Sequence, residues 1–439
     1  MTFNHISSVN VIKGMTKINF DTGLKQLLTD NSVLKKSQAN LLSFRANLEK
    51  AKGLYYPTID IISFVAPVFE VRGDALSVQR NYKNWGPYIN GQVTVLWPIF
   101  TFGAISSANK AARNGFIATE YYEKSNLNAT IFEYKKLYLS AILLTNLKKI
   151  YDEATTKIKE IYSKAFESYI SGEGKVVKKD IARIKLYQFE LQKIGAQLQA
   201  NTNSVALALG HYTGKKTPLW AVDEKFPDLS ISKIKLNEFV KLTFDRNPLW
   251  KALSYGLTAR KELIKVSKKS NYPVIFLGLR GEANYTNVRT DVDSSYANDP
   301  FNRNTAAVAL GAKWQFNWGK FKSKNTKAVA NYEKLLAQKK EAKTGLPLKV
   351  SLAFFKVQEE EKKNHLSIKS LKEAARWSVT ELSAFKAGIG DTKDLVESVG
   401  AYYLKKFEVA RSRYSVCLVW AKLAKEVGDE TKLRSWKLK

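Results

Sequence analysis

The chain contains no run of 18 or more apolar residues, so no single helix in it can span a bilayer. If it crosses a membrane, only a closed β-barrel is left, because every backbone N–H and C=O in lipid must find a partner. Cysteine is almost missing. Cys417 alone excludes an intramolecular disulfide and leaves no thiol near the N-terminus to carry a lipid. The three histidines, His5, His211 and His365, stand apart with no second ligand at metal spacing, so no metal is expected. Residues 1–19 lack the continuous apolar segment of a secretory signal, broken as they are by Asn4, His5, Asn10, Lys13 and Lys17. The expectation is that the start is already processed or has been altered. Gly172-Glu173-Gly174-Lys175 lacks the spacing and the following Ser/Thr of a phosphate-binding loop. No nucleophile elbow or dinucleotide fingerprint occurs, so neither catalysis nor a cofactor is expected.

Acidic residues are scarce, with 40 Asp+Glu against 71 Lys+Arg and a net charge of +31. Such a balance raises nucleic-acid binding as a reading. The basic residues are scattered through long amphipathic stretches, with no zinc-finger spacing and no compact aromatic-basic motif, so they read as solvated helix faces and no nucleic-acid partner is expected.

What the chain does have is an internal period of 216 residues. Asn31 pairs with Asn247, Tyr56-Pro57 with Tyr272-Pro273, Phe100-Thr101-Phe102-Gly103 with Phe316-Asn317-Trp318-Gly319, and Gly172-Glu173-Gly174 with Gly388-Ile389-Gly390. Four landmarks at one offset read as two structural copies. The first is expected at 20–210, with a strand pair at 57–102, and the second at 236–428, with a strand pair at 273–318. A connector at 211–235, an N-terminal extension at 1–19 and a tail at 429–439 complete the division.

Each copy has one order of elements. A helix of about 34 residues is predicted at 20–54 and at 236–270, from apolar positions such as Leu24, Leu27, Leu28, Leu34, Leu41 and Leu42. Two strands follow. A proline-free stretch from 104 to 170 then predicts roughly 100 Å of helix. A glycine turn and a return helix at 176–209 complete the first copy. In the second copy Gly345 and Pro347 predict a kink or break at 344–347.

The strands alternate. In 88–99, Tyr88, Asn90, Gln92 and Thr94 interleave with Ile89, Val93, Val95 and Trp97. In 274–287, Arg280, Glu282, Asn284 and Thr286 interleave with Ile275, Leu277, Leu279, Ala283 and Tyr285, and 305–316 behaves likewise. This period of two fits membrane barrel strands and also a soluble sheet. Aromatic residues, among them Tyr56, Trp97, Phe100, Phe102, Tyr272, Trp314, Phe316 and Trp318, gather where strands meet helices, as rings at a membrane interface do. Polar segments at 73–87 and 291–304 are predicted as exterior loops. Four strands cannot close a barrel, so a membrane protein of this kind must associate: eight strands as a dimer, twelve as a trimer.

On these carriers, over residues 20–428, the sequence resembles the TolC family of outer-membrane efflux and secretion channels. The resemblance implies an α+β membrane protein: a homotrimer whose twelve-stranded β-barrel, four strands per chain, continues into a long α-helical coiled-coil tunnel in the periplasm. It implies an exit duct in outer-membrane lipid, docked to a periplasmic adaptor protein and an inner-membrane pump or ABC transporter. It places adaptor docking at the helix tips, at Gly172, Gly174, Lys175, Gly388, Gly390 and Asp391. Asp394 and Glu397, three apart and so on one helix face, match the family's acidic ring at the periplasmic mouth, whereas the first copy has Lys178 and Ile181 there. The contrasting reading is a soluble coiled-coil protein that binds acidic polymers. It accounts for the helices and the charge but not for the alternating strands with aromatic ends.

Overall fold

The computed structural model describes residues 14–73, 77–172, 176–227, 235–290, 300–387 and 389–428. Most of these are helical. In chain order the elements are β1 (Thr16–Ile18), α1 (Phe20–Asp30), α2 (Ser32–Gly53), β2 (Thr58–Gly73), β3 (Val78–Phe100), α3 (Ala104–Ser171), α4 (Lys178–Tyr212), β4 (Leu219–Ala221), α5 (Leu236–Arg246), α6 (Pro248–Lys269), β5 (Val274–Thr286), β6 (Asn304–Lys313), α7 (Trp318–Lys386) and α8 (Thr392–Val427). They form two compact units: one from the described residues of Met1–Asn40, Tyr121–Lys251 and Lys340–Lys439, the other from Leu41–Glu120 and Ala252–Lys339.

The first unit is helical. Its largest buried cluster joins Phe20, Leu27 and Leu34 to Ile131, Tyr134, Tyr138 and Ile142 of α3, with Leu209 of α4. Residues 16–18 are held in the structure. β1 pairs in parallel with β4, Thr16 opposite Leu219 and Ile18 opposite Ala221, which ties the 211–235 connector to residues predicted as an extension. Tyr134 and Tyr138 donate to the carbonyls of Phe20 and Ile18, and Tyr138 also donates to the Asp223 carboxylate. Burial pushes both phenols well above the ordinary tyrosine range, so they act here as permanent donors. Glu123 is buried but accepts from Ser37, Asn40 and Asn126. Burial pushes its carboxyl upward, yet those three bonds outweigh it and hold the group below the usual carboxylate range.

The expected helices at 20–54 and 236–270 are each two helices. The break falls at Asn31 in one and at Asn247 in the other, and the cause is side-chain capping. Asn31 Oδ1 accepts from the backbone of Val33 and Leu34, while its Nδ2 donates to the Tyr212 carbonyl at 2.7 Å. Asn247 Oδ1 accepts from Leu249 and Trp250, while its Nδ2 donates to the Glu426 carbonyl at 2.7 Å. Each asparagine therefore starts a helix and fastens the end of another, α4 or α8. Glycine closes both joints: Gly214 and Gly428 have φ of +72° and +83°, and a Cβ on either would press on Asp30 or Asn247. An asparagine read from spacing alone looks like a helix residue; its cap is local, but its hold on a second helix depends on a distant carbonyl.

Of the kink or break predicted at 344–347, the break is corrected. α7 runs unbroken from Trp318 to Lys386 with Pro347 inside it. Val350, Ala353, Phe354 and Val357 are buried against Leu423 and Val427 of α8, and Leu346 is buried too. This burial, together with open space beside Gly345, keeps the helix continuous despite one missing N–H.

Replacing Asn247 by Ala removes a cap and orphans the Glu426 carbonyl. A loss of about 1–2 kcal/mol is expected, seen as a lower thermal unfolding midpoint. Asn247→Asp keeps the cap acceptor but not the donor and falls between. Equal midpoints for all three proteins would remove the joint from the account.

Candidate functional site

The second unit carries one four-stranded antiparallel sheet in the order β2-β3-β5-β6, so the two hairpins are joined by pairing of β3 with β5. All four connections to helices leave from one end of it. Register fixes its two faces, because residues directly opposite each other share a side.

One face is apolar. Ile59, Val95, Leu279 and Val308 lie in one row across the sheet, and Ile61 and Val93 lead the next, with Leu277 and Leu310 opposite Trp97. Most of these side chains are bare, with Ile61 72%, Val308 70% and Leu310 73% exposed, while Val95 and Leu277 are half-buried. The other face is a hydrogen-bonded polar ladder. Asn90 donates to Asn284 Oδ1 at 2.5 Å, Tyr88 donates to the same oxygen at 2.9 Å, and Asn284 donates to Glu282. Arg280 donates to Gln92 at 3.2 Å and to Glu282 at 3.1 Å. The alternation predicted for β3, β5 and β6 is therefore the observed arrangement.

β2 is the exception. Ile62 and Phe64 stand on the polar side, opposite Gln92 and Asn90, so its sequence shows no alternation there. The exterior loop predicted at 73–87 is largely strand. β3 begins at Val78, and Arg80, Asn81, Lys83 and Asn84 belong to it. Between Phe69 and Glu70 the register shifts, and Tyr82, Lys83 and Asn84 bulge out. Glu70 holds this bulge by accepting from Asn81, Asn84 and Arg72. Polar residues that resemble a loop in sequence are here the ligands of one carboxylate. In the second predicted loop, Asp291, Asp293, Asn298 and Asp299 lie outside the described residues.

The aromatic residues form a rim at the helix end of the sheet. Trp97 Nε1 donates to the Tyr55 carbonyl at 3.1 Å, and Trp314 Nε1 donates to the Asn271 carbonyl at 2.9 Å. Phe102 packs on Phe100 and stacks on Tyr272, with ring centroids 4.7 and 5.3 Å apart. Trp314, Phe316 and Trp318 form a second chain of rings. Phe102 and Gly103 have positive φ, which turns β3 sharply into α3. Tyr56 is 70% and Trp318 77% exposed, so these rings are not core.

At the helix turns the first unit brings Ile158, Ile161 and Ala165 of α3, Ile181 and Ile184 of α4, and Leu395, Val396 and Val399 of α8 into one buried cluster, with Phe385 of α7 against it. The two turns are thus neighbours. Gly172 has φ of +68° with open space beyond it, whereas a Cβ on Gly390 would meet the Phe385 backbone nitrogen at 2.6 Å. Asp391 caps α8 by accepting from Lys393. Gly174, Lys175 and Gly388 lie outside the described residues. Asp394 is exposed and Glu397 half-buried, while Ile181, its counterpart, is buried in the cluster. Sequence reasoning missed Ile170, Val177 and Ile389, which are bare apolar residues beside these turns; apolar residues flanking a glycine reversal are the only signal they give. Among the described residues no helix is long and apolar enough to cross a membrane, and no group of His, Cys, Asp and Glu could hold a metal ion.

No family description matches the sequence, and no curated protein matches it. Solved structures do. CusC, whose structures concern conformational changes accompanying folding and transmembrane channel formation, matches with a TM-score of 0.76 at 12% identity, over 94% of this chain and 93% of that one. The Campylobacter jejuni outer-membrane channel CmeC matches with 0.76 at 16% identity, over 93% and 85%. The outer-membrane protein VceC of Vibrio cholerae matches with 0.74 at 13%, over 93% and 95%. At such identities the likeness is one of fold, and it spans nearly the whole chain. The chain has the fold of TolC-type outer-membrane channels.

Val93 and Gln92 are adjacent residues on opposite faces of β3, which allows a paired test. If the apolar face meets lipid, Val93→Arg costs about 2–4 kcal/mol for assembly into bilayers, and Gln92→Arg costs far less. Denaturant titration in phospholipid vesicles measures both. Equal costs would mean that the bare face is not the lipid face.

Proposed function

We propose that the chain is one subunit of a trimeric outer-membrane exit duct. In this reading it conducts substrates passively from an inner-membrane pump and a periplasmic adaptor to the exterior, within a tripartite efflux or type I secretion machine. The observation that carries the reading is the four-stranded sheet with one bare apolar face, one polar face and two edge strands, β2 and β6, that among the described residues have no further strand partner beyond a bridge from Val71 to Arg289. A soluble coiled-coil protein has no use for an exposed apolar surface of this extent. In a duct that surface meets lipid, and the Arg280–Glu282–Asn284 ladder lines the water-filled side.

Three copies supply twelve strands, a closed barrel wide enough for a channel. The recurrence of Asn31 and Asn247, Tyr56 and Tyr272, and Trp97 and Trp314 in like roles supports two internal copies per chain. Lateral packing between subunits has its own surface. Leu348, Leu352 and Phe355 repeat along one exposed stripe of α7, as an unfilled coiled-coil seam does. The helix turns at Gly172, Gly174 and Lys175, and at Gly388, Gly390 and Asp391, are the proposed adaptor contacts. The bare side chains of Ile170, Val177 and Ile389 support this by offering a partner apolar surface. Asp394 and Glu397 are the proposed ring at the periplasmic mouth, six carboxylates in a trimer.

Light scattering in detergent tests the assembly, with three times 49.6 kDa of protein as the expected mass. A monomer that stays in solution without detergent would sink the proposal. Single-channel recording tests the mouth. Replacing Asp394 and Glu397 together by Ala should lower cation preference and relieve block by multivalent cations. Unchanged currents would leave the pair as an ordinary solvated face.

A further inference from the structure

The aromatic rim has lysines four residues from its rings, in the adjoining helices. Lys52 and Lys268, in the last turns of α2 and α6, precede Tyr56 and Tyr272 by four residues, and Lys322 follows Trp318 by four on one face of α7. All six residues are exposed. Lys320 is exposed as well, and Lys324 reaches Ser270 Oγ. Lys52 has only a solvent-exposed pair with Glu49, which holds it weakly.

Around Lys320 and Lys322 the sequence offers no acid to balance them. From Pro300 to Tyr332 the sequence has no Asp or Glu and six basic residues, and from Ala75 to Thr119 it again has no Asp or Glu. The start of α7 is unusual in a second way. A helix N-terminus carries partial positive charge and ordinarily attracts carboxylates, yet the first turn of α7 has none and contains Lys320. Lys320 and Lys322 thus stand against a helix dipole beside an exposed ring and draw anions from outside the chain, whereas Lys52 and Lys268 sit in the last turns of α2 and α6, where the dipole favours them.

We infer that Lys52, Lys268, Lys320 and Lys322 form a collar that binds the phosphates of anionic phospholipid headgroups in the membrane leaflet on the helical side of the sheet. The inference rests on the reading of the sheet as bilayer-spanning. The rings supply the reason for choosing lipid over a soluble polyanion. A nucleic acid reaching the same ammonium groups would have to lie across bare Tyr56, Tyr272 and Trp318 and the apolar sheet face above them. A headgroup places its phosphate at the lysines and its acyl chains on that face, satisfying both surfaces at once. The collar would bind its own leaflet's lipids and so fix the depth at which the sheet sits.

The test uses the full-length protein assembled in nanodiscs containing equal phosphatidylcholine and phosphatidylglycerol, followed by gentle detergent release and mass spectrometry of the retained lipid. Phosphatidylglycerol should be retained about tenfold over phosphatidylcholine at low salt, falling to about twofold or less at about 1 M NaCl. The variant Lys52→Gln, Lys268→Gln, Lys320→Gln, Lys322→Gln should lose the preference at low salt. Lys159→Gln with Lys164→Gln, on the α3 segment in the first unit, should keep it. The salt arm needs no mutation, so a folding defect in the variant cannot hide the answer. Equal retention of both lipids by the natural protein overturns the collar, as does a preference that neither salt nor the four substitutions alters. Binding of a DNA oligonucleotide that the same substitutions abolish, without lipid preference, overturns it in favour of a polymer. Incorporation into phosphatidylcholine bilayers without preference leaves the channel reading standing, whereas failure to incorporate at all removes both.

Discussion

A strand at the edge of a sheet leaves alternate N–H and C=O groups unpaired, and hydrocarbon offers those groups no partner. Each one left bare in lipid costs several kilocalories per mole, far more than any single side-chain contact in this chain can return. β2 and β6 are such edges. The four strands also alternate in direction, so β6 of one copy can pair antiparallel with β2 of the next; an odd number of strands would have forced a parallel junction. In the proposed duct the sheet is continued by copies of itself. Its bare apolar face and its polar ladder acquire inner and outer sides only when that continuation closes.

The helical unit meets a different demand. Long helices of 68 and 69 residues, α3 and α7, pack against shorter ones that come in pieces. The pieces are joined at Asn31 and Asn247, each capping one helix and tying down another. Two short helices can then run beside one long helix without a frayed end at the joint. Gly214 and Gly428 allow the close approach that this requires. The β1–β4 pair and the donors Tyr134 and Tyr138 stitch the connector to α3 at the same level, so the joint is held by hydrogen bonds as well as by apolar burial.

Much of this was legible from residues whose role is local. Period-two alternation in β3, β5 and β6 depends only on the side each residue faces, and the proline-free stretch at 104–170 depends only on helix propensity. What was not legible depended on partners distant in sequence. The tie from Asn31 to the end of α4 needs the Tyr212 carbonyl. Arg80 to Asn84 read as a loop because nothing local shows that Glu70 will gather Asn81 and Asn84. Pro347 read as a break because its tolerance comes from Val350, Phe354 and Val357 packing on α8. β2 hid its faces because Ile62 and Phe64 occupy the polar side. At the helix turns, the spacing of Asp394 and Glu397 was visible, whereas the burial of Ile181 and the exposure of Ile389 were not.

The claim on which the account turns is that β2 and β6 of neighbouring copies meet. With Cys417 replaced by Ser, cysteines introduced at Ser63 on β2 and Ala306 on β6 can be bridged by a short thiol-reactive crosslinker in membranes. The account predicts covalent dimers and trimers and nothing larger, with the trimer dominant at completion, because the third link closes the ring. Bands that stop at the monomer, or a ladder that runs past three, would contradict it.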